Sequence, residues 1–325
     1  MSAYILRRLL QGLVKLVIIS FLMFVLTNLS GDPAAQYFGP RTSAADRVRI
    51  RHDLGLDAPI PVRYVSWITR ALQGDFGFSF SEHRPVIEMI GERLPDTLLL
   101  TGMAEIVLII ISLGVGIYQA THQYKLLDNI LTGFSFIGIS MPVFFVGLGL
   151  LLIFAVGAKE LNTRGGLPWL PYFPTGTKVW DRSLVSNWIY YMILPIATLT
   201  IIQVAGDARF VRSSVLEVMS QDYIRVARAK GLLENVVIFK HALKNAALPF
   251  VTLVGLELPG LLGGAVVTES VFSWRGMGRL FLNSAENSDF PVVMGILMMI
   301  TFAVILIQLL VDVLYTFLDP RIKLS

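Results

Sequence analysis

The sequence predicts an all-α integral membrane protein with six spans, and three observations carry that reading. Apolar residues fill 54% of 325 positions and charged ones only 15%, a membrane composition rather than that of a soluble domain. Apolar runs of about 20 residues, the length that crosses the hydrocarbon core, recur along the chain. The net charge of +4 comes from arginines and lysines beside those runs, where they act as topology signals rather than as a nucleic-acid footprint.

The first run, Leu9 to Leu29, follows Arg7 and Arg8. A basic stretch before an apolar run also describes a signal peptide, but this run is long, lacks a clear small-residue cleavage pattern, and ends at the turn-forming Gly31-Asp32-Pro33. It reads as an uncleaved span with the N-terminus inside, Lys15 snorkelling to the cytoplasmic face. Residues 30–96 are polar, punctuated by proline and glycine, and read as an extracytoplasmic insertion between the first two spans. Within it Val62, Val65, Ile68 and Leu72, with Tyr64, Trp67 and Ala71 alongside, recur at helical spacing after Pro61. This short amphipathic helix packs on the membrane surface or neighbouring spans, or meets a partner. The insertion carries many arginines outside, which the positive-inside rule tolerates in a long segment whose aspartates balance them.

The remaining chain, 97–325, reads as a five-helix core. Span two is placed at 97–120, after Pro95-Asp96, and span three at 129–156, with Pro142 as a kink and glycines 133, 138, 147 and 149 suited to close helix contacts. An irregular aromatic loop with Gly165-Gly166 and Pro168 leads to span four at 188–206, which continues as helix past Asp207, Arg209 and Arg212. Asp207 near those arginines reads as an interfacial ion pair or as a gating group. A polar, basic loop at 207–244 follows, then span five at 245–267, span six at 291–318, and a tail at Asp319-Pro320-Arg321-Ile322-Lys323. An even number of spans puts both termini in the cytoplasm, on the side of the basic loop.

Two stretches of this core attract functional readings. Ser220 to Gly231 reads as a short helix with Ser220 as N-cap, Asp222 in the first turn, Arg228 and Lys230 in the last, and Gly231 as the stop. Alone it could be a solvated basic loop. In span five Glu257 falls near mid-membrane, followed by Pro259 and Gly260-x-x-x-Gly264. An ionisable group there lines an aqueous path or, protonated, bonds a neighbouring helix. Glu105 in span two and Asp312 in span six are weaker cases.

The run Asp222-Tyr223-Ile224-Arg225-Val226-Ala227-Arg228-Ala229-Lys230-Gly231, with His241-Ala242-Leu243-Lys244-Asn245-Ala246 and Pro249 behind it, resembles the EAA loop of binding-protein-dependent ABC importer permeases. Arg225 stands where the general motif has glutamate and Lys244 where it has proline, departures usual in the dipeptide/oligopeptide/nickel branch. His52 to Pro59, Gly74 to Ser79, Thr268 to Arg279 and Asp289 to Val293 are similar to the same branch, so the resemblance covers nearly the full length of its B-type subunit. It implies a type I ABC importer permease-like fold in a prokaryotic inner membrane. It further implies a coupling helix, carried by Asp222, Tyr223, Arg225, Ala227, Arg228, Ala229, Lys230 and Gly231, that docks on a cytoplasmic ATPase. The implied partners are a homologous second permease, two ATP-binding subunits that hold ATP and magnesium, and an extracytoplasmic substrate-binding protein. Glu257, Pro259 and Gly260 are the candidates for lining the pathway.

What the chain lacks narrows its chemistry. No G-x-x-x-x-G-K-[ST] occurs, so no P-loop is encoded; with no cysteine there is neither a disulfide framework nor a thiolate site; and His52, His83, His122 and His241 lack metal-binding spacing. No catalytic constellation or cofactor site is expected. Di- or oligopeptides are the implied cargo, with nickel, glutathione or oligosaccharides open within the family. A secondary transporter, which needs an ion-coupling site, and a non-transporting scaffold remain as other classes.

Overall fold

A computed structural model describes residues 2–30, 38, 43–53, 55–163, 171–176 and 185–318. The turn at Gly31-Asp32-Pro33, the Gly165-Gly166 and Pro168 loop and the tail from Asp319 fall outside these residues, as do the side chains of Pro259 and Asp312. Among the described residues helices dominate, and the only strand-like pairing is a single bridge between Phe78 and Pro85. In chain order the helices are α1 (Ser2–Ser30), α2 (Ala44–Asp53), α3 (Ile60–Leu72), α4 (Val86–Thr121), α5 (Leu126–Ser140), α6 (Val143–Leu151), α7 (Ala158–Thr163), α8 (Val185–Met219), α9 (Asp222–Ala229), α10 (Glu234–Val236), α11 (Leu243–Gly264), α12 (Val266–Val271), α13 (Met277–Glu286) and α14 (Phe290–Leu318). Among the described residues five helices are long and apolar enough to cross a membrane, six when the bent pair Glu234–Ala247 and Pro249–Leu258 counts as one.

The chain divides into two compact units, 1–96 with 276–310, and 97–275 with 311–323. In the first, α1 and α3 are joined by aromatic packing. Tyr64 meets Phe21 edge-on at 5.1 Å and Phe24 at 5.7 Å, and its hydroxyl bonds Ser20 Oγ at 2.7 Å. The buried stripe of α3 is Tyr64, Trp67, Ile68 and Ala71, whereas Val62, Val65 and Leu72 remain exposed. The helix therefore carries two apolar faces, of which only one is spent inside the chain.

The same unit buries Leu16, Phe76, Val86, Ile90, Met277, Leu280, Val292 and Ile296 together. Its polar keystone is Asp289, which is 1% exposed and accepts from Ser79 Oγ at 2.5 Å and from the Phe80 and Ser81 amides at 3.1 Å each. A buried carboxylate is tolerated where donors surround it. These bonds fix the turn that follows Gly77.

In the second unit α4, α8 and α11 pack around Ala120, Val211, Val215, Ala246 and Phe250, with Ile109, Leu113, Ile117 and Leu253 against them. A Cβ on Gly116 would stand 2.6 Å from Val211 and 2.7 Å from the Ala208 carbonyl, so glycine is what lets α4 and α8 approach. Gly138 and Gly147 likewise face neighbouring atoms within 3.5 Å, while Gly133 and Gly149 face open space. Of the glycines expected to seat helix contacts, two do so within this chain.

Several helix bounds differ from those that hydropathy places. Helix α4 begins at Val86 and carries Pro95 inside it, because the residues before the apolar run are buried in the first unit's core. At about 1.5 Å per residue its 36 residues extend well beyond a hydrocarbon core about 30 Å thick. The kink expected at Pro142 is a full break: Met141 is extended, at φ −89 and ψ 131, and Pro142 starts α6. Proline disfavours the helical region for its predecessor and has no N–H to donate. Helix α6 runs into a π-turn at Leu152–Gly157 before α7. Helix α8 is continuous from Val185 to Met219. The helix that becomes span five starts at Glu234, passes a second π-turn at Val237–Ala242, and bends by 46° near Pro249.

Candidate functional site

Helix α9 is built as a short, firmly seated element. Ile224 is fully buried and Ala227 nearly so, against Val237 and Ala242 with Val218 and Met219 beside them. Its start differs from the sequence reading. Ser220 does not cap it: the hydroxyl donates back to the Glu217 carbonyl at 2.7 Å, closing α8, and Gln221 occupies the cap position without a side-chain bond. A serine one residue beyond a helix end finds the preceding carbonyls nearer than the next helix's amides.

The other end has a defined stop. Lys230 is the C-cap, and Gly231 follows at φ +77 with its amide on the Arg228 carbonyl at 2.9 Å. No atom stands within 4 Å of a Cβ built there, so backbone conformation alone favours glycine. Across that turn Arg228 grips Glu234 by two bonds, Nη2 to Oε1 at 2.7 Å and Nε to Oε2 at 3.1 Å. The hydrogen bond from Arg228 holds the Glu234 carboxyl below its usual pKa, and the same bond raises that of Arg228. Asn245 Nδ2 donates to Tyr223 Oη at 2.8 Å, tying α9 to the start of α11.

The residues proposed for coupling therefore divide by role. Asp222, Tyr223, Arg225, Ala229 and Lys230 are exposed, with Val226 between them and Leu233 following at 76% exposure. Ala227 is part of the buried seat, Arg228 is the clasp, and Gly231 is the stop. The Arg225 to Asp222 contact at 3.3 Å is solvent-exposed and adds little. The outward face is mixed basic and apolar.

In the spans, Glu257 is half-buried and its Oε2 has no partner. Around Gly260 no atom of the described residues comes within 4 Å of a built Cβ, so they make no close contact with the first glycine of Gly260-x-x-x-Gly264. Near Glu257 the structure gathers two further carboxylates, Glu105 and Asp207, each 4% exposed. The sequence ranks Glu105 below Glu257, because hydropathy shows a charge in a span but not what faces it.

The local ion pair read for Asp207 does not form. Arg209 lies over the Phe136 ring at 5.2 Å and donates to the Ala205 carbonyl, and Arg212 crosses to Asp128, Nη2 to Oδ2 at 2.9 Å. Asp207 Oδ2 is left buried without a partner. A residue two places away on a helix points to another face, and the arginine five places on is drawn to a better-surrounded carboxylate. Asp128 also accepts from Gln119 Nε2 at 3.2 Å and the Tyr124 amide at 3.0 Å. Asp128 and Glu269 were not singled out in the sequence. Glu269 is fully buried and accepts from Thr97 Oγ1 at 2.7 Å.

Residues 112–324 match the model for the binding-protein-dependent transport system inner membrane component, and residues 1–101 match the model for the N-terminal part of such membrane components. The oligopeptide transport system permease protein AppB of Bacillus subtilis is 40% identical, aligning 99% of this chain with 100% of the relative. A probable peptide ABC transporter permease of Sinorhizobium fredii is 37% identical over 99% and 100%, and the glutathione transport system permease protein GsiC of Salmonella typhimurium is 39% identical over 99% of each. With helices long enough to span and a full-length match to such permeases, the chain belongs to the family of binding-protein-dependent transport system inner membrane components, multi-pass proteins of the inner membrane.

Proposed function

We propose that this chain is one half of the translocation pathway of an ATP-driven importer for short peptides, and that α9 is the lever through which ATP hydrolysis on separate subunits moves its spans. The observation that carries the lever is the seating of α9. A buried apolar face, a clasp from Arg228 to Glu234 and a tie from Asn245 to Tyr223 hold it to the scaffold, while Asp222, Tyr223, Arg225, Ala229 and Lys230 face outward. An element gripped on one side and free on the other transmits a displacement rather than absorbing it.

The chain itself is non-catalytic in this reading, with ATP and magnesium held by two ATPase subunits. A homologous second permease completes the pathway, an extracytoplasmic binding protein delivers cargo, and both termini lie in the cytoplasm. Glu257, Pro259 and Gly260 line the route. The cargo class rests on the names of the relatives, which include oligopeptide, peptide and glutathione permeases. The common chemistry is a short peptide.

The test is purification of the tagged chain from its native membrane, identification of the co-purifying polypeptides by mass spectrometry, and peptide uptake by the reconstituted assembly. A second permease with P-loop ATPases and ATP-dependent peptide uptake is the expected result. Recovery of this chain alone, transporting without ATP, would overturn the lever.

A further inference from the structure

Three carboxylates in the second unit have no counter-charge among the described residues. Glu105, Asp207 and Glu257 each lie one helical turn from a member of the same apolar cluster, Ile109 on α4, Val211 on α8 and Leu253 on α11. They stand close enough that the charges of Glu257 and Asp207 act on Glu105 and that of Glu257 acts on Asp207. Both oxygens of Glu105, Oδ2 of Asp207 and Oε2 of Glu257 are buried without a hydrogen-bond partner. On the same face of α4, two turns beyond Glu105, the fully buried Ser112 hydroxyl is also without a partner.

The basic groups that could neutralise them are engaged elsewhere, Arg209 over Phe136 and Arg212 on Asp128. An unpaired carboxylate inside a span costs several kcal/mol. Three such groups on neighbouring helices are neutralised either by protons or by a cation from outside the described residues. Their arrangement does not suit a metal ion, since among the described residues no group of three or more His, Cys, Asp or Glu is close enough to ligate one. An ammonium group, larger and with three N–H donors, suits separated acceptors better.

We propose that Glu105, Asp207 and Glu257 form an intramembrane site for the positively charged end of the cargo, the α-ammonium of a short peptide, beside the apolar cluster of α4, α8 and α11. This rests on the peptide-import reading above. The site draws the charged end away from water by exchanging hydration for carboxylate hydrogen bonds, and the apolar cluster beside it, Ile109, Leu113, Val211, Phe250 and Leu253, excludes water until the helices part. The carboxylates thus offset the cost of bringing an ammonium into the membrane.

The experiment uses the complete importer in proteoliposomes, with binding protein saturated either by a tripeptide with a free amino terminus or by its N-acetylated form. Glu105→Gln, Asp207→Asn and Glu257→Gln should each lower the ratio of free to acetylated uptake, by about tenfold for loss of one charge-assisted contact. An unchanged ratio overturns the site, whether both rates fall or neither does. If the wild-type importer moves no peptide, the cargo reading fails and the site is tested on the unaltered complex by a second measurement. Triethylammonium chloride should protect Glu105 and Glu257 from a hydrophobic carbodiimide, read by mass spectrometry, where equal sodium chloride does not. Labelling that responds to pH but not to triethylammonium would show protons as the sole occupant and overturn the proposal.

Discussion

Arg212 on α8 and Asp128 on α5 form a partly buried ion pair at 2.9 Å, with the Asp128 side chain 2% and the Arg212 side chain 24% exposed. The pair takes from α8 the cation that proximity in sequence would have given to Asp207. It fastens two helices and, by the same contact, leaves the neighbouring carboxylate without a partner.

Removing one member of that pair strands the other. Asp128→Ala also deprives Gln119 and the Tyr124 amide of their acceptor, so the loss of stability should be on the order of 3 kcal/mol. Thermal unfolding of the detergent-solubilised chain should show a Tm several degrees lower. The double variant Asp128→Ala with Arg212→Met should recover part of that loss, because neither member of the pair is then left without the other. A Tm unmoved by the single substitution would remove the pair's structural role.

Asp289 should control the turn at 79–81. Asp289→Ala leaves the Ser79 hydroxyl and the Phe80 and Ser81 amides without their acceptor. Hydrogen exchange at the two amides should accelerate by at least about tenfold, the factor that corresponds to loss of roughly 1.4 kcal/mol of protection. Exchange at the α9 amides serves as the internal reference.

The clasp on α9 carries a pH dependence whose sign follows from Glu234. Its carboxyl is held below the usual value by the hydrogen bond from Arg228, so the stabilisation is present above the unfolded pKa of about 4.3 and is lost as pH falls through the lower folded value. The Glu234 side chain is 52% exposed, so the effect is small and screened by salt. Protection factors of the 222–231 amides, corrected for intrinsic exchange, should fall between neutral and acidic pH in the wild type. They should be flat in Glu234→Gln.

Gly231 ends α9, the lever proposed above. At φ +77 a β-branched side chain is strained by roughly 1–2 kcal/mol or more, so Gly231→Val should shift the end of α9 and uncouple ATP hydrolysis from uptake. Gly231→Asn, which tolerates that backbone region, should retain most of the coupling. Fully coupled transport in the valine variant would show that the stop is not needed.

Composition and hydropathy determined that this is a multi-span helical membrane protein, because a segment crossing lipid must be apolar over a fixed length and must bond its own backbone. Local chemistry also placed the α9 stop, since the conformation after Lys230 favours glycine and the sequence supplies it. Neither rule reports what stands opposite a side chain. The starts of α4 at Val86 and of the helix at Glu234 depend on burial against distant segments, and periodicity could not separate the two apolar faces of α3. Which acids find donors is likewise a matter of three-dimensional neighbours. Asp289 meets Ser79 from 210 positions away, Asp128 captures Arg212 from 84 away, and Glu105, Asp207 and Glu257 come together from three helices without a cation among the described residues. Hydrogen bonding and charge pairing act over a few ångströms, and only the packing of the helices decides which residues come within that reach.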